Sequence, residues 1–289
     1  MNTLNKQAIL DRLPYVQYTT EISGCWQALE QSVSKLAGKE HAELLASDAP
    51  GGAYAAWWHS CCELFAARQV VISNINFKGD DNNGDEYIEI FNNGPMWVDV
   101  SGWRLNAGID GQDAWFPADT LMPPQCCLRI DTKGLSELSF NRKHSVWNNK
   151  GDEGLLFDSQ GDVISSWLYG DKAHNVVKIS HIQFDGSIKH TEVDEYVEIC
   201  NISSSWIDLT DWCLKVGDKK DFIFPVGAKI CPGGKVRVYT NKVEPNSGGF
   251  SFNSKKAIWN NISDTCTLTD YQNKLVSVYS YGVQANVGA

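Results

Sequence analysis

Residues 86–103 read EYIEIFNNGPMWVDVSGW, and residues 195–212 read EYVEICNISSSWIDLTDW. The two align without a gap at an offset of 109. Glu86 meets Glu195, Tyr87 meets Tyr196, Trp97 meets Trp206, Asp99 meets Asp208 and Trp103 meets Trp212. Whatever fold the first stretch takes, the second must take as well, so every later motif is read twice.

The duplication runs on in both directions. Ile72-Ser73-Asn74-Ile75-Asn76-Phe77 returns as Ile179-Ser180-His181-Ile182-Gln183-Phe184. Phe116-Pro117 returns as Phe224-Pro225, Trp147-Asn148-Asn149 as Trp259-Asn260-Asn261, and Tyr169-Gly170 as Tyr281-Gly282. The offset drifts from 107 to 112 only between motifs, which places insertions in exposed loops where added length costs little. Each unit has the size of a whole domain rather than of a solenoid repeat. The expected domains are residues 70–170 and residues 176–289, after a separate segment, 1–69.

Periodicity sets the class. Glu86-Tyr87-Ile88-Glu89-Ile90, Lys235-Val236-Arg237-Val238-Tyr239 and Val276-Ser277-Val278-Tyr279 alternate polar and apolar residues, as strands with one buried face do. Turn chemistry separates them, at Asn92-Asn93-Gly94-Pro95, Ser159-Gln160-Gly161-Asp162 and Pro232-Gly233-Gly234. Strands recurring at this spacing favour an antiparallel sandwich. No Cys…Trp…Cys framework of the antibody type is present, so the tryptophans are expected to pack without a central disulfide. Trp97, Trp103, Trp147, Trp206, Trp212 and Trp259 recur in both copies and are expected in the cores, since both copies need the same fold. Trp26, Trp115 and Trp167 have no tryptophan counterpart, and any of them left exposed is the better interface candidate.

The order EY[IV]EI, W[VI]D[VL][ST]xW, FP, then a glycine- or proline-rich turn before a strand resembles the lamin tail domain. The resemblance covers about 70–170 and 176–283. It implies a mainly β chain: two tandem immunoglobulin-like β-sandwiches, lamin-tail-like, preceded by a small α-helical segment. The second copy departs at turns, with Asp211 in the place of Gly102 and Tyr271-Gln272-Asn273 in the place of Ser159-Gln160-Gly161. A lamin rod is not expected, because residues 1–69 hold no sustained heptads. The resemblance implies a bacterial chain as the expectation, since bacterial domains resembling lamin tails often accompany nucleases, hydrolases or cell-surface proteins.

Residues 1–69 read differently. Ile22, Trp26, Leu29, Val33 and Leu36 form one apolar stripe at helical spacing, stopped by Gly38. Ala53 to Phe65 is apolar nearly all round, yet is too short and too interrupted by His59 and Glu63 to cross a bilayer. Trp57, Trp58, Leu64 and Phe65 are dense apolar residues in a piece too small to hide them. They are expected to pack within the chain, or to bind a protein partner or a second copy of the chain.

Charge and cysteines narrow the setting. The net charge is −10, with seven Lys/Arg against fifteen Asp/Glu in 70–170 and thirteen of each in 171–289. Nucleic-acid binding rests on neutralising phosphates, so the acidic first repeat argues against it. Nine cysteines are an odd number, and the repeats do not share them: Phe91 aligns with Cys200 and Arg104 with Cys213. A disulfide framework would have been duplicated with its domain, so reduced thiols and a cytoplasmic setting are expected. Met1 to Leu10 has no apolar stretch of signal-peptide type.

No phosphate loop, nucleophile elbow or HExxH motif is present, and the six histidines share no pattern. Glu86/Glu89 recur as Glu195/Glu198, and a buried structural network is favoured for them over acid–base chemistry. Asp80, Asn82 and Asp85 gather hard oxygen ligands around Gly84, as calcium loops do. They lack the full loop spacing, and an acidic surface hairpin is the simpler reading. The expectation is therefore a non-enzymatic scaffold or targeting protein without a cofactor. The alternatives are an oligomer assembled through the N-terminal helices, and a hydrolase- or nuclease-associated subunit.

Overall fold

The computed structural model describes residues 67–79, 86–241 and 249–282. The helical segment expected over 1–69 falls almost wholly outside them. Packing divides the chain into two compact units. One runs to Val146 and includes Leu155–Ser165; the other holds Trp147–Gly154 and the chain from Ser166 onward.

In the first unit the strands follow the alternation read from the sequence. One sheet has the order β1 (Val70–Asn76), β2 (Tyr87–Asn92), β7 (Cys127–Asp131). The other runs β9 (Val163–Leu168), β8 (Glu153–Phe157), β4 (Arg104–Asn106), β5 (Asp113–Trp115), and β3 (Val98–Asp99) pairs with β6 (Leu121–Met122). The second unit repeats the plan. One sheet is β10 (Val177–Gln183), β11 (Tyr196–Asn201), β16 (Lys235–Tyr239), β17 (Gly249–Ser251). The other is β14 (Lys220–Ile223), β13 (Cys213–Val216), β18 (Asp264–Thr269), β19 (Leu275–Tyr281), while β12 (Trp206–Asp208) pairs with β15 (Lys229–Ile230). A 3-10 turn, Gly170–Ala173, separates the repeats.

The copies agree down to irregularities. β1 shifts register between Ile72 and Asn74 and β10 between Ile179 and His181, each around a serine that bonds a carbonyl of the neighbouring strand. Asp211 takes the positive φ of Gly102, and Asn273 that of Gly161, so the substituted turns keep their backbone. Aspartate and asparagine are the side chains that tolerate this region best.

The recurring tryptophans divide between core and surface. Trp103, Trp147, Trp212 and Trp259 are buried. Deleting such an indole from a core costs about 3–5 kcal/mol. Trp97, expected in the core, is instead 37% exposed, and Trp206 is half-buried. Successive side chains point to opposite faces of a strand. Val98 and Val100, like Ile207 and Leu209, take the inward positions, which turns Trp97, Trp206, Asp99 and Asp208 outward.

Candidate functional site

The duplicated polar residues were expected to serve structure rather than chemistry. They are engaged with the backbone. Glu86 is buried ahead of β2, and its Oε2 accepts the Val146 amide at 3.0 Å. Its counterpart Glu195 is fully buried and accepts the Ile258 amide at 3.1 Å and the Thr240 hydroxyl at 2.8 Å. Each glutamate thus pins the segment that delivers the buried Trp147 or Trp259. Burial pushes the Glu195 carboxyl up to about 7, against the pull of those two donors.

Other pairs behave alike. Asn92 donates to the carbonyls of Met96 and Pro123, and Asn201 to those of Ser205 and Cys231. Asp99 caps Ser101 as Asp208 caps Thr210. Asp152 and Asp264 each accept two backbone amides in equivalent turns. Asp158 and Asp270 do the same. The buried asparagines escaped the sequence reading, although their recurrence at the end of EIFN and EICN was the available signal. Ser139-Phe140-Asn141 and Ser251-Phe252-Asn253 also escaped it; both phenylalanines are buried and both asparagines have positive φ.

A trio in the second unit was not foreseen. Asp171, His174 and Asp270 bring ligand-type atoms within 4.8 Å of one another. Each is already engaged. His174 Nε2 lies 2.9 Å from Asp270 Oδ2, and Lys274 Nζ sits 2.7 and 2.8 Å from the two Asp171 oxygens. The arrangement reads as a hydrogen-bonded network that fixes the inter-repeat turn. Glu198 is similarly held by Lys235 and Arg237, and Lys219 pairs with Asp264 at 2.6 Å.

The described cysteines, Cys126, Cys127, Cys200, Cys213, Cys231 and Cys266, are unbridged. Burial pushes the Cys213 and Cys266 thiols up, away from the reactive thiolate. Trp57, Trp58, Leu64 and Phe65, and the candidate cation ligands Asp80, Asn82 and Asp85, lie outside the described residues.

What the described surface offers is apolar. Trp115 is 65% exposed at the end of β5, an edge strand, with the Arg104 guanidinium 5.8 Å from its ring. Arg104 is fixed from two sides: it pairs with Asp113 at 2.6 Å and stacks 4.0 Å over Phe157. Register places Ile223 at the matching position of edge strand β14, and it is 62% exposed. Trp167, the other unmatched tryptophan described, is buried.

Twofold sandwiches with clamped turns and exposed edge positions define a mainly β, immunoglobulin-like tandem-domain protein. Both repeats match the family model of the Lamin Tail Domain, over residues 64–171 and 171–283, and the chain belongs to that family. No curated protein matches it. Among solved structures, a chain of the exo-beta-D-glucosaminidase CsxA aligns at 11% identity over 73% of this chain and 26% of that one. Its TM-score of 0.23 carries no argument about fold or function. Tandem lamin tail domains support a protein-interaction or structural role.

Proposed function

We propose that the protein is a non-enzymatic scaffold whose two lamin tail domains present edge strands to protein partners. The observation that carries this reading is the exposed Trp115 of β5, held over a doubly anchored Arg104 of β4, with Ile223 repeating the exposed apolar position on β14. Exposed edge strands recruit further strands, and tryptophan and arginine dominate protein interfaces. The engagement of the duplicated carboxylates with backbone amides supports the non-enzymatic part. The unbridged thiols support a reducing, cytoplasmic setting, and the acidic first repeat supports partners other than nucleic acid. Among the described residues no helix is long and apolar enough to cross a membrane.

The test is affinity capture from the native host with the full chain and with Trp115→Ala combined with Ile223→Ser. Proteins held by the wild type and lost by the variant support the reading. Partners retained equally by both would remove the edge strands from the role. Hydrolase or nuclease turnover by the purified chain would overturn its non-enzymatic part.

A further inference from the structure

Two duplicated turns close in the same way and differ in one respect. Between β8 and β9, Asp158 Oδ1 accepts the amides of Gln160 and Asp162. Between β18 and β19, Asp270 Oδ1 accepts those of Gln272 and Lys274. Each turn closes on one carboxylate oxygen, so neither needs the other. In the second repeat that other oxygen, Oδ2 of the buried Asp270, faces His174 Nε2 at 2.9 Å. Among the described residues Asp158 closes its turn without an imidazole partner. His174 is therefore an addition that turn closure does not require.

The addition comes with a third polar group and a fixed setting. Asp171 belongs to the 3-10 turn and His174 caps its end. Asp171 Oδ1 lies 3.9 Å from His174 Nε2, and the ligand-type atoms of all three residues lie within 4.8 Å of one another. The His174 ring meets the buried Trp212 edge-on, with centroids 6.2 Å apart, while the two amides orient Asp270. Two of the three groups are thus aimed by their surroundings, as metal ligands are. Negative charge gathers here as well. Burial, and then the charges of Asp270, Asp171 and Asp208, push the Tyr271 hydroxyl up.

We propose that Asp171, His174 and Asp270 form a binding site for a divalent transition-metal cation, with zinc as the best match to the donors. One imidazole nitrogen and two carboxylate oxygens make a zinc ligand set that leaves a fourth position for water. Tetrahedral zinc, with bonds of about 2.0–2.2 Å, holds its ligand atoms about 3.3–3.6 Å apart. The separations of 2.9 and 3.9 Å bracket that spacing, so small side-chain shifts suffice. The place already attracts a cation, since Lys274 Nζ sits 2.7 and 2.8 Å from the Asp171 oxygens. Both partners of that pair are exposed, and exposed ion pairs are weak, so the ammonium yields to a metal ion and turns into water. The bound ion ties the inter-repeat turn to the β18–β19 hairpin. The site uses neither β5 nor β14, and it stands or falls apart from the scaffold reading.

Zinc alone, titrated into the full chain against a chelator of known affinity, tests the site, and X-ray absorption at the zinc edge identifies the ligands. The wild type should hold one zinc in a shell of nitrogen and oxygen that includes imidazole. His174→Ala and Asp171→Asn should each weaken binding by about tenfold or more. Lys274→Met should strengthen it severalfold, because the competing ammonium is gone while the backbone amide that closes the turn remains. A purely structural network gives no such gain. A sulfur shell on the wild type would assign the metal to the cysteines and overturn the proposal. So would a wild type that takes up no zinc at micromolar concentration, unchanged affinity in His174→Ala, or weaker binding by Lys274→Met. Circular dichroism checks that each variant is folded; if His174→Ala is not, the wild-type spectrum and Lys274→Met still decide.

Discussion

Glu195 shows how a conserved-looking acid can be read wrongly as chemistry when its task is architecture. Its folded-state carboxyl sits at about 7 against an ordinary 4.5 because it is buried. The folded state therefore holds the proton more tightly than the unfolded chain does. The group's most favourable contribution lies below pH 4.5, declines as pH rises to about 7, and is constant above. A shift of this size corresponds to roughly 3 kcal/mol. Glu195→Gln has no proton to lose, so between pH 4.5 and 7.5 its stability relative to wild type should rise by about that amount. Urea denaturation at the two pH values measures it. Equal slopes for both proteins would mean that the carboxyl is already ionised in the fold at acid pH.

Turns set the next scale. Gly170 and Gly282 follow the repeated tyrosine with φ of +54 and +70. A Cβ there would overlap the Lys150 carbonyl oxygen in one copy and the Ile262 carbonyl oxygen in the other. Gly170→Ala and Gly282→Ala should each cost about 2 kcal/mol or more, read as a lowered melting temperature. A melting temperature within error of wild type would show that the turn has room. Much at this scale was legible in the residues, because alternation and duplicated turns are local and appear twice. The family and the mainly β class followed from those motifs. Trp97 was misplaced because recurrence alone does not say which face of a strand a residue takes; the parity of Val98 and Val100 does. The trio of Asp171, His174 and Asp270 was out of reach, since it joins turns that are neighbours only once the chain has folded. Trp115 was legible as a candidate, but only the structure placed it on an open edge.

For the whole molecule, the expectation to test is assembly through the apolar residues of the N-terminal segment. Trp58→Asp combined with Phe65→Asp in the full chain should leave the β-type circular-dichroism spectrum intact. If the segment drives assembly, light scattering should find a monomer where the wild type is larger. An unchanged native mass would remove the segment from that role.

The register shifts in β1 and β10 carry a further consequence. At each shift a backbone amide of the first strand turns to a serine hydroxyl on the last strand of the same repeat, Ile72 to Ser165 at 3.0 Å and Ile179 to Ser277 at 3.1 Å. The strands that begin and end a repeat are thereby fastened to each other, and neither can fray without releasing the other. Chain ends usually exchange their amide hydrogens first. Here the Ile72 and Ile179 amides should exchange as slowly as those of the central strands, and Ser165→Ala should accelerate Ile72 while leaving Ile179 at its original rate.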